Sequence, residues 1–203
     1  MSIVLKKNII LLNPEGNCEE LFEELQLPFS TTHQHIPVGD HLPENPFEYA
    51  NTTVVIKLLR MKAPHESLCY LHVKRVISIE GILLPLPQSK NEARNFLKRL
   101  SNRQHRVTTA VGIRYDQQLS SFVVASDVTM KCLSEKIIQQ YIETGEPFEQ
   151  DIGYNIMGVG QNLVSRIDGC KYNVAGLPTK ILKDFLSEKG IMSVSEEAEV
   201  HGH

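Results

Sequence analysis

The sequence contains no apolar run approaching the roughly 20 residues that a membrane-spanning helix needs. Its opening, MSIVLKKNIILL, lacks the hydrophobic centre and small-residue cleavage site of a secretory signal. A cytoplasmic protein with no membrane partner is expected. The cysteines, Cys18, Cys69, Cys132 and Cys170, are far apart and form no CxxC pair, which removes zinc knuckles and disulfide frameworks and leaves reduced, structural thiols. Positive charge is not in excess either: 21 Lys and Arg face 24 Asp and Glu, a formal net charge of -3. Nucleic-acid surfaces concentrate Lys and Arg into a basic stripe, so no nucleic-acid partner is expected. The glycines of GYNIMGVG lack both a Walker lysine-serine/threonine ending and a dinucleotide fingerprint after a strand. Their expected work is to permit turns and close backbone packing. No Ser-His-Asp order or reactive-cysteine context stands out, which leaves covalent catalysis without a nominee.

What is present is a chain of 203 residues, 41% of them hydrophobic, enough to bury a substantial core. Ile9 to Leu12 reads as a buried strand, and NCEELFEELQLP as a helix with Asn17 as N-cap, Glu20 three positions later and Pro28 as its end. The stretch from Phe29 to Tyr49, rich in Pro, His, Asn and Asp, reads as a long irregular crossing, and Thr52 to Ala63 as a second helix. Leu68 to Leu84 reads as two strands turning at Glu80-Gly81. Ser89 and Glu92 form a capping-box pattern before Ala93, Phe96, Leu97 and Leu100, which share one helical face. Val107 to Tyr115 and Ser121 to Met130 are β-branched and alternating, with a hairpin turn within Asp116 to Leu119. Helices follow over Ser134 to Glu143 and Lys180 to Lys189. The elements interleave without a strict βα repeat, which predicts an α/β or α+β fold: a central mixed sheet with flanking helices. Residues 1–190 are expected to form one domain and the polar 191–203 a flexible tail.

The run from Tyr141 to Pro178, with Gly145, Glu146, Pro147, Gly153, Gly169, Asn173, Val174, Gly176, Leu177 and Pro178, and LSNRQHRVTTAV upstream, resemble the Maf family. The resemblance covers most of the chain. It implies a Maf and inosine-triphosphatase-like fold of two lobes around a cleft, a nucleotide partner, cleavage of nucleoside triphosphates to a monophosphate and pyrophosphate, and the homodimers common in that family. It also implies a magnesium or manganese cofactor wherever the reaction is retained.

Carried over residue by residue, the resemblance is selective. The family's phosphate-clasping loop continues a proline with two arginines; here Pro14 is followed by Glu15 and Gly16. Its aspartate-threonine pair, which serves as metal ligand or general base, becomes Lys74-Arg75, and its lysine-proline pair becomes Leu86-Pro87. An aspartate-lysine pair becomes Glu149-Gln150, and the glutamine before Gly158 becomes Met157. Lys62-Ala63 matches the family's helix-borne lysine, which makes Lys62 the candidate catalytic residue, and either Asp40 or Glu44 matches the acidic residue before that helix, a candidate metal ligand. The implied nucleotide cleft comprises Pro14, Glu15, Lys74, Arg103, Tyr154 and Gly158. What persists shapes the backbone, and what is lost touched the ligand. Hydrolysis is therefore expected to be weak or lost, with a non-catalytic nucleotide-binding or interaction module as the alternative.

One expectation goes further: an arginine has become Glu15 and an aspartate has become Lys74, so the two should approach each other and neutralise the site. His33, His35, His41, His201 and His203 carry no spaced Cys or acidic partner, and are read as solvent-facing rather than metal-binding.

Overall fold

The computed structural model describes residues 2–62, 64–149 and 152–195. The elements are, in order, β1 (Ser2–Leu5), β2 (Asn8–Leu12), α1 (Cys18–Glu24), β3 (Phe29–Thr32), α2 (Pro46–Arg60), β4 (Leu68–Ile79), β5 (Ile82–Leu83), α3 (Lys90–Leu100), β6 (Gln104–Tyr115), β7 (Gln118–Met130), α4 (Glu135–Glu143), α5 (Glu146–Glu149), a 3-10 turn (Val159–Leu163), β8 (Val164–Asp168), α6 (Lys171–Ala175), α7 (Thr179–Glu188) and β9 (Met192–Ser195). The expected mixed sheet with flanking helices is present: seven strands in the order β3-β2-β4-β6-β7-β8, with β5 paired to the end of β4. β2 runs parallel to both β3 and β4, and the remaining pairings are antiparallel. Among the described residues no helix is long and apolar enough to cross a membrane.

The long strands β4, β6 and β7 carry the architecture because their side chains alternate between two covered faces. One face buries Leu71, Ile77, Val107, Val111 and Ile113 in the main core, against Phe22 of α1, Phe96 and Leu97 of α3, Ile138 of α4 and Leu182 of α7. The other face is covered by α2 through Ala50 and Val54, which meet Val76 and Ala110. Gly112 permits that approach, since a Cβ there would stand 2.7 Å from Leu58 and 3.1 Å from Val54.

Local chemistry explains the element ends. Ser89 accepts from the Glu92 N–H at 3.2 Å, and the Glu92 carboxylate accepts from the Gln88 N–H, so the capping box holds one residue further upstream on its return arm. The β6–β7 hairpin turns on Asp116 and Gln117, both with positive φ (44° and 62°), as a two-residue hairpin of this hand requires.

Several expectations are corrected. Phe29 to Tyr49 is not wholly irregular: Phe29–Thr32 is an edge strand beside β2, and α2 begins at Pro46. Asn45 caps it, accepting from the Phe47 and Glu48 N–H groups, and Pro46 occupies the first turn, where no N–H is missed. That helix ends at Arg60 rather than Ala63, which lies outside the described residues. Asn17 precedes α1 without capping it; its amide donates instead to Asn155 Oδ1 at 2.9 Å. Regular structure also extends beyond residue 190, because β9 pairs antiparallel with β1 in a separate two-stranded sheet. The rest of the expected tail, residues 196–203, lies outside the described residues.

Candidate functional site

The loop after β2 is held in an unusual shape by its own side chains. Asn13 has φ 46°, in the left-handed region that Asn tolerates better than most residues. Its amide donates to the Gln34 carbonyl and its carbonyl oxygen accepts from the Gln34 N–H, both at 2.8 Å. Pro14 and Glu15 are thereby presented beyond the end of β2, over the α2 face of the sheet.

On that face β4 continues past β2, and Lys74 projects from it. Lys74 Nζ donates to Glu15 Oε2 at 3.0 Å, so the expected approach of these two residues is present. Lys57 of α2 adds a second cation, with Nζ 4.0 Å from Glu15 Oε1. One carboxylate therefore serves two ammonium groups. Partial burial lowers the Lys57 pKa; Glu15 opposes that shift and Lys74 reinforces it.

Beside them His72 is fully buried. Its Nδ1 lies 2.7 Å from the Leu12 carbonyl, an acceptor, so Nδ1 carries the proton and Nε2 presents a lone pair. Nε2 has no hydrogen-bond partner among the described residues. Burial, with Lys57 and Lys74 assisting, pulls this histidine down to about 4 against the counter-effect of the Leu12 hydrogen bond, so it is neutral at pH 7.

The structure separates the other expected site residues from this cluster. Lys62 stands exposed beyond the end of α2, its backbone N–H bonded to Gln34 Oε1. The lysine that α2 carries to the cluster is Lys57, which the sequence reading missed although it lies four residues after buried Thr53 on the same helical face. Tyr154 is fully buried and its hydroxyl is 2.8 Å from His105 Nε2, so no face is free to stack on a base. Burial raises the Tyr154 phenol and lowers His105 to about 4, which keeps this pair neutral. Arg103 instead lines a cavity beside the N-terminal end of α2.

Gly158 opens the 3-10 turn, where any Cβ would collide with the Glu146 carboxylate. That carboxylate accepts from the Val159 and Gly160 N–H groups at 2.7 and 2.9 Å. The turn's backbone donors are thus satisfied from within. Arg75, buried next to Lys74 in sequence, turns to the opposite face and donates to the Val174 carbonyl at 2.6 Å.

Among the described residues the candidate cation ligands are not gathered into one cluster. Asp40 and Glu44 are exposed, and Glu15 is committed to two lysines. Among the described residues no group of three or more His, Cys, Asp or Glu side chains is placed to hold a metal ion.

The family described as Maf-like protein matches residues 19–189. The chain belongs to the Maf family. A dTTP/UTP pyrophosphatase of Bacillus velezensis is 33% identical over 185 residues, covering 89% of this chain and 98% of that protein. One of Halalkalibacterium halodurans is 32% identical over 177 residues, covering 85% of this chain and 90% of its own. Another, from Aliivibrio fischeri, reaches 42% over 103 residues, covering 51% and 54% respectively. The family match runs from within α1 to just past the end of α7, and the Glu15 loop precedes it.

Proposed function

We propose that this Maf-family chain is a nucleoside triphosphate pyrophosphatase relative whose hydrolysis is weak or lost. The observation that carries this reading is the Glu15 carboxylate bound by both Lys74 and Lys57. A phosphate entering beside Glu15 must first displace that carboxylate from two cations. It then shares the space with a like charge, at a cost of about 1 kcal/mol in water and about 4 at an effective dielectric of 20 for a 4 Å separation. Lys74 adds a second obstacle, because a protonated amine neither accepts a proton from water nor ligates a cation.

The relatives' activity makes dTTP and UTP the nucleotides to test. With magnesium or manganese supplied, pyrophosphate release is expected to fall short of an intact general-base enzyme by about 10²-fold or more. Steady turnover of either nucleotide that disappears in Lys57→Ala would overturn the reading.

The same two lysines favour a second reading, a non-catalytic module that binds a nucleotide phosphate when Glu15 swings aside. Mono-, di- and triphosphates that raise the thermal midpoint without being cleaved support it. No shift with any of them counts against it.

A further inference from the structure

A cavity of about 710 Å³ opens on the α2 face of the sheet well away from Glu15. Ser78, on its floor, lies four residues beyond Lys74 on β4, roughly 13 Å of strand. Pro46, on its wall, lies eleven residues before Lys57 on α2, roughly 16 Å of helix. The volume falls in the range of small-molecule sites, about 300–1,000 Å³.

The floor is a polar row. Ser78, Arg106 and Asp127 stand opposite one another across β4, β6 and β7, with Thr108 two residues along β6. Arg106 donates to both Asp127 oxygens, at 2.8 and 2.9 Å, through Nε and Nη2. The pair cancels its own charge, fixes the guanidinium plane and leaves Nη1 unbonded among the described residues. Ser78 and Thr108 are largely buried, 3% and 2% exposed, and both line the cavity. Their hydroxyls give the floor two hydrogen-bonding groups that a ligand or ordered water can use.

The rim supplies the rest. Phe47 exposes 51% of its surface beside the positive end of the α2 dipole. The Arg103 side chain has no partner among the described residues. Glu80, at the β4–β5 turn, is the opposing charge. Donors predominate: Arg103, the free end of Arg106 and two hydroxyls.

We propose that this cavity is a small-molecule site for an organic anion carrying a planar ring. The ring lies against Phe47, the anionic group meets Arg103 and Arg106 Nη1, and a hydroxyl or carbonyl of the ligand meets Ser78 and Thr108. This site is independent of the Glu15 cluster and does not rest on the proposed loss of hydrolysis.

Phenyl phosphate and uridine 5′-monophosphate, titrated calorimetrically into the full chain, test it, with inorganic phosphate and uridine as probes that each lack one half of the ligand. Both ring phosphates should bind about 10-fold more tightly than either half. Arg103→Ala should weaken them about 10-fold or more, Arg103→Lys less, and Phe47→Ala about 5-fold. Glu80→Gln should tighten them, and Lys57→Ala should leave them unchanged. All these side chains except Lys57 are exposed, and an unchanged thermal midpoint checks that each variant folds. The proposal is overturned if neither ring phosphate binds. It is equally overturned if Lys57→Ala rather than Arg103→Ala removes binding, a result that places the ligand at the Glu15 cluster.

Discussion

Glu15 and Lys74 meet at 3.0 Å, the carboxylate accepting from the ammonium group. The contact is compatible with either polarity, because a loop after β2 and a strand beside it bring positions 15 and 74 together whatever they carry. Exchanging the two charges would therefore preserve the fold while altering what the site can accept.

The pair should be energetically coupled, though modestly, since both side chains reach solvent: 34% of the Glu15 side chain and 20% of Lys74 are exposed. A double-mutant cycle of Glu15→Gln and Lys74→Met, followed by urea unfolding, should return a coupling of about 0.5–1 kcal/mol that shrinks in 1 M salt. Additive single effects would show that the contact contributes nothing.

The buried histidines give the protein a pH dependence of definite sign. His72 is held at about 4 in the folded state against 6.5 for the free side chain, so below that higher value the unfolded chain takes up a proton that the native state refuses. Its stabilising contribution is complete above about pH 6.5 and is lost as pH falls toward about 4, an effect on the order of 3 kcal/mol. Carboxylates titrate in the same interval, so the useful quantity is a difference. His72→Asn, which can still donate to the Leu12 carbonyl, should lose about 2 kcal/mol less than the parent between pH 6.8 and 4.5. Equal losses would mean that His72 takes up its proton as readily in the native state.

Much of this fold was legible because its signals are local. The Ser89 cap, the Asp116-Gln117 turn and the apolar face of α3 each depend on residues a few positions apart. β3 was not, because an edge strand reading FSTT earns its place only by parallel pairing with β2 and by the Asn13–Gln34 exchange, both remote in sequence. The site divided the same way. Glu15 opposite Lys74 followed from charges out of pattern, whereas choosing Lys57 over Lys62 required knowing that α2 stops at Arg60 and lays Ala50, Val54 and Leu58 on the sheet.

Gly153 connects the backbone signature to packing. Its φ is 73°, and a Cβ there would stand 2.6 Å from the Phe96 ring; Gly81 has a similar φ of 80° but open space around it. Gly81→Ala should therefore cost only the conformational term, about 1 kcal/mol, while Gly153→Ala adds overpacking and should cost about 2–4 kcal/mol. Chemical denaturation of the two variants checks this. Equal losses would show that Phe96 yields without strain.

Exchanging the charges of Glu15 and Lys74, to the polarity that the Maf resemblance implies, gives the strongest test of the site. Glu15→Arg alone puts three cations together, and Lys74→Asp alone leaves Lys57 to serve two carboxylates, so each single change should destabilise by about 1–2 kcal/mol. In the double variant the introduced guanidinium and carboxylate can pair with the sign of the contact reversed, and stability should return to within about 0.5 kcal/mol of the parent. The same double variant removes the carboxylate that opposes an incoming phosphate and supplies one at the position from which water could be deprotonated. Its pyrophosphate release from dTTP or UTP with magnesium should exceed the parent's by about 10-fold or more, a fraction of what a general base contributes. Recovered stability without any rise in release would confine the exchange to structure. Losses that merely add would show that the two positions do not sense each other's charge.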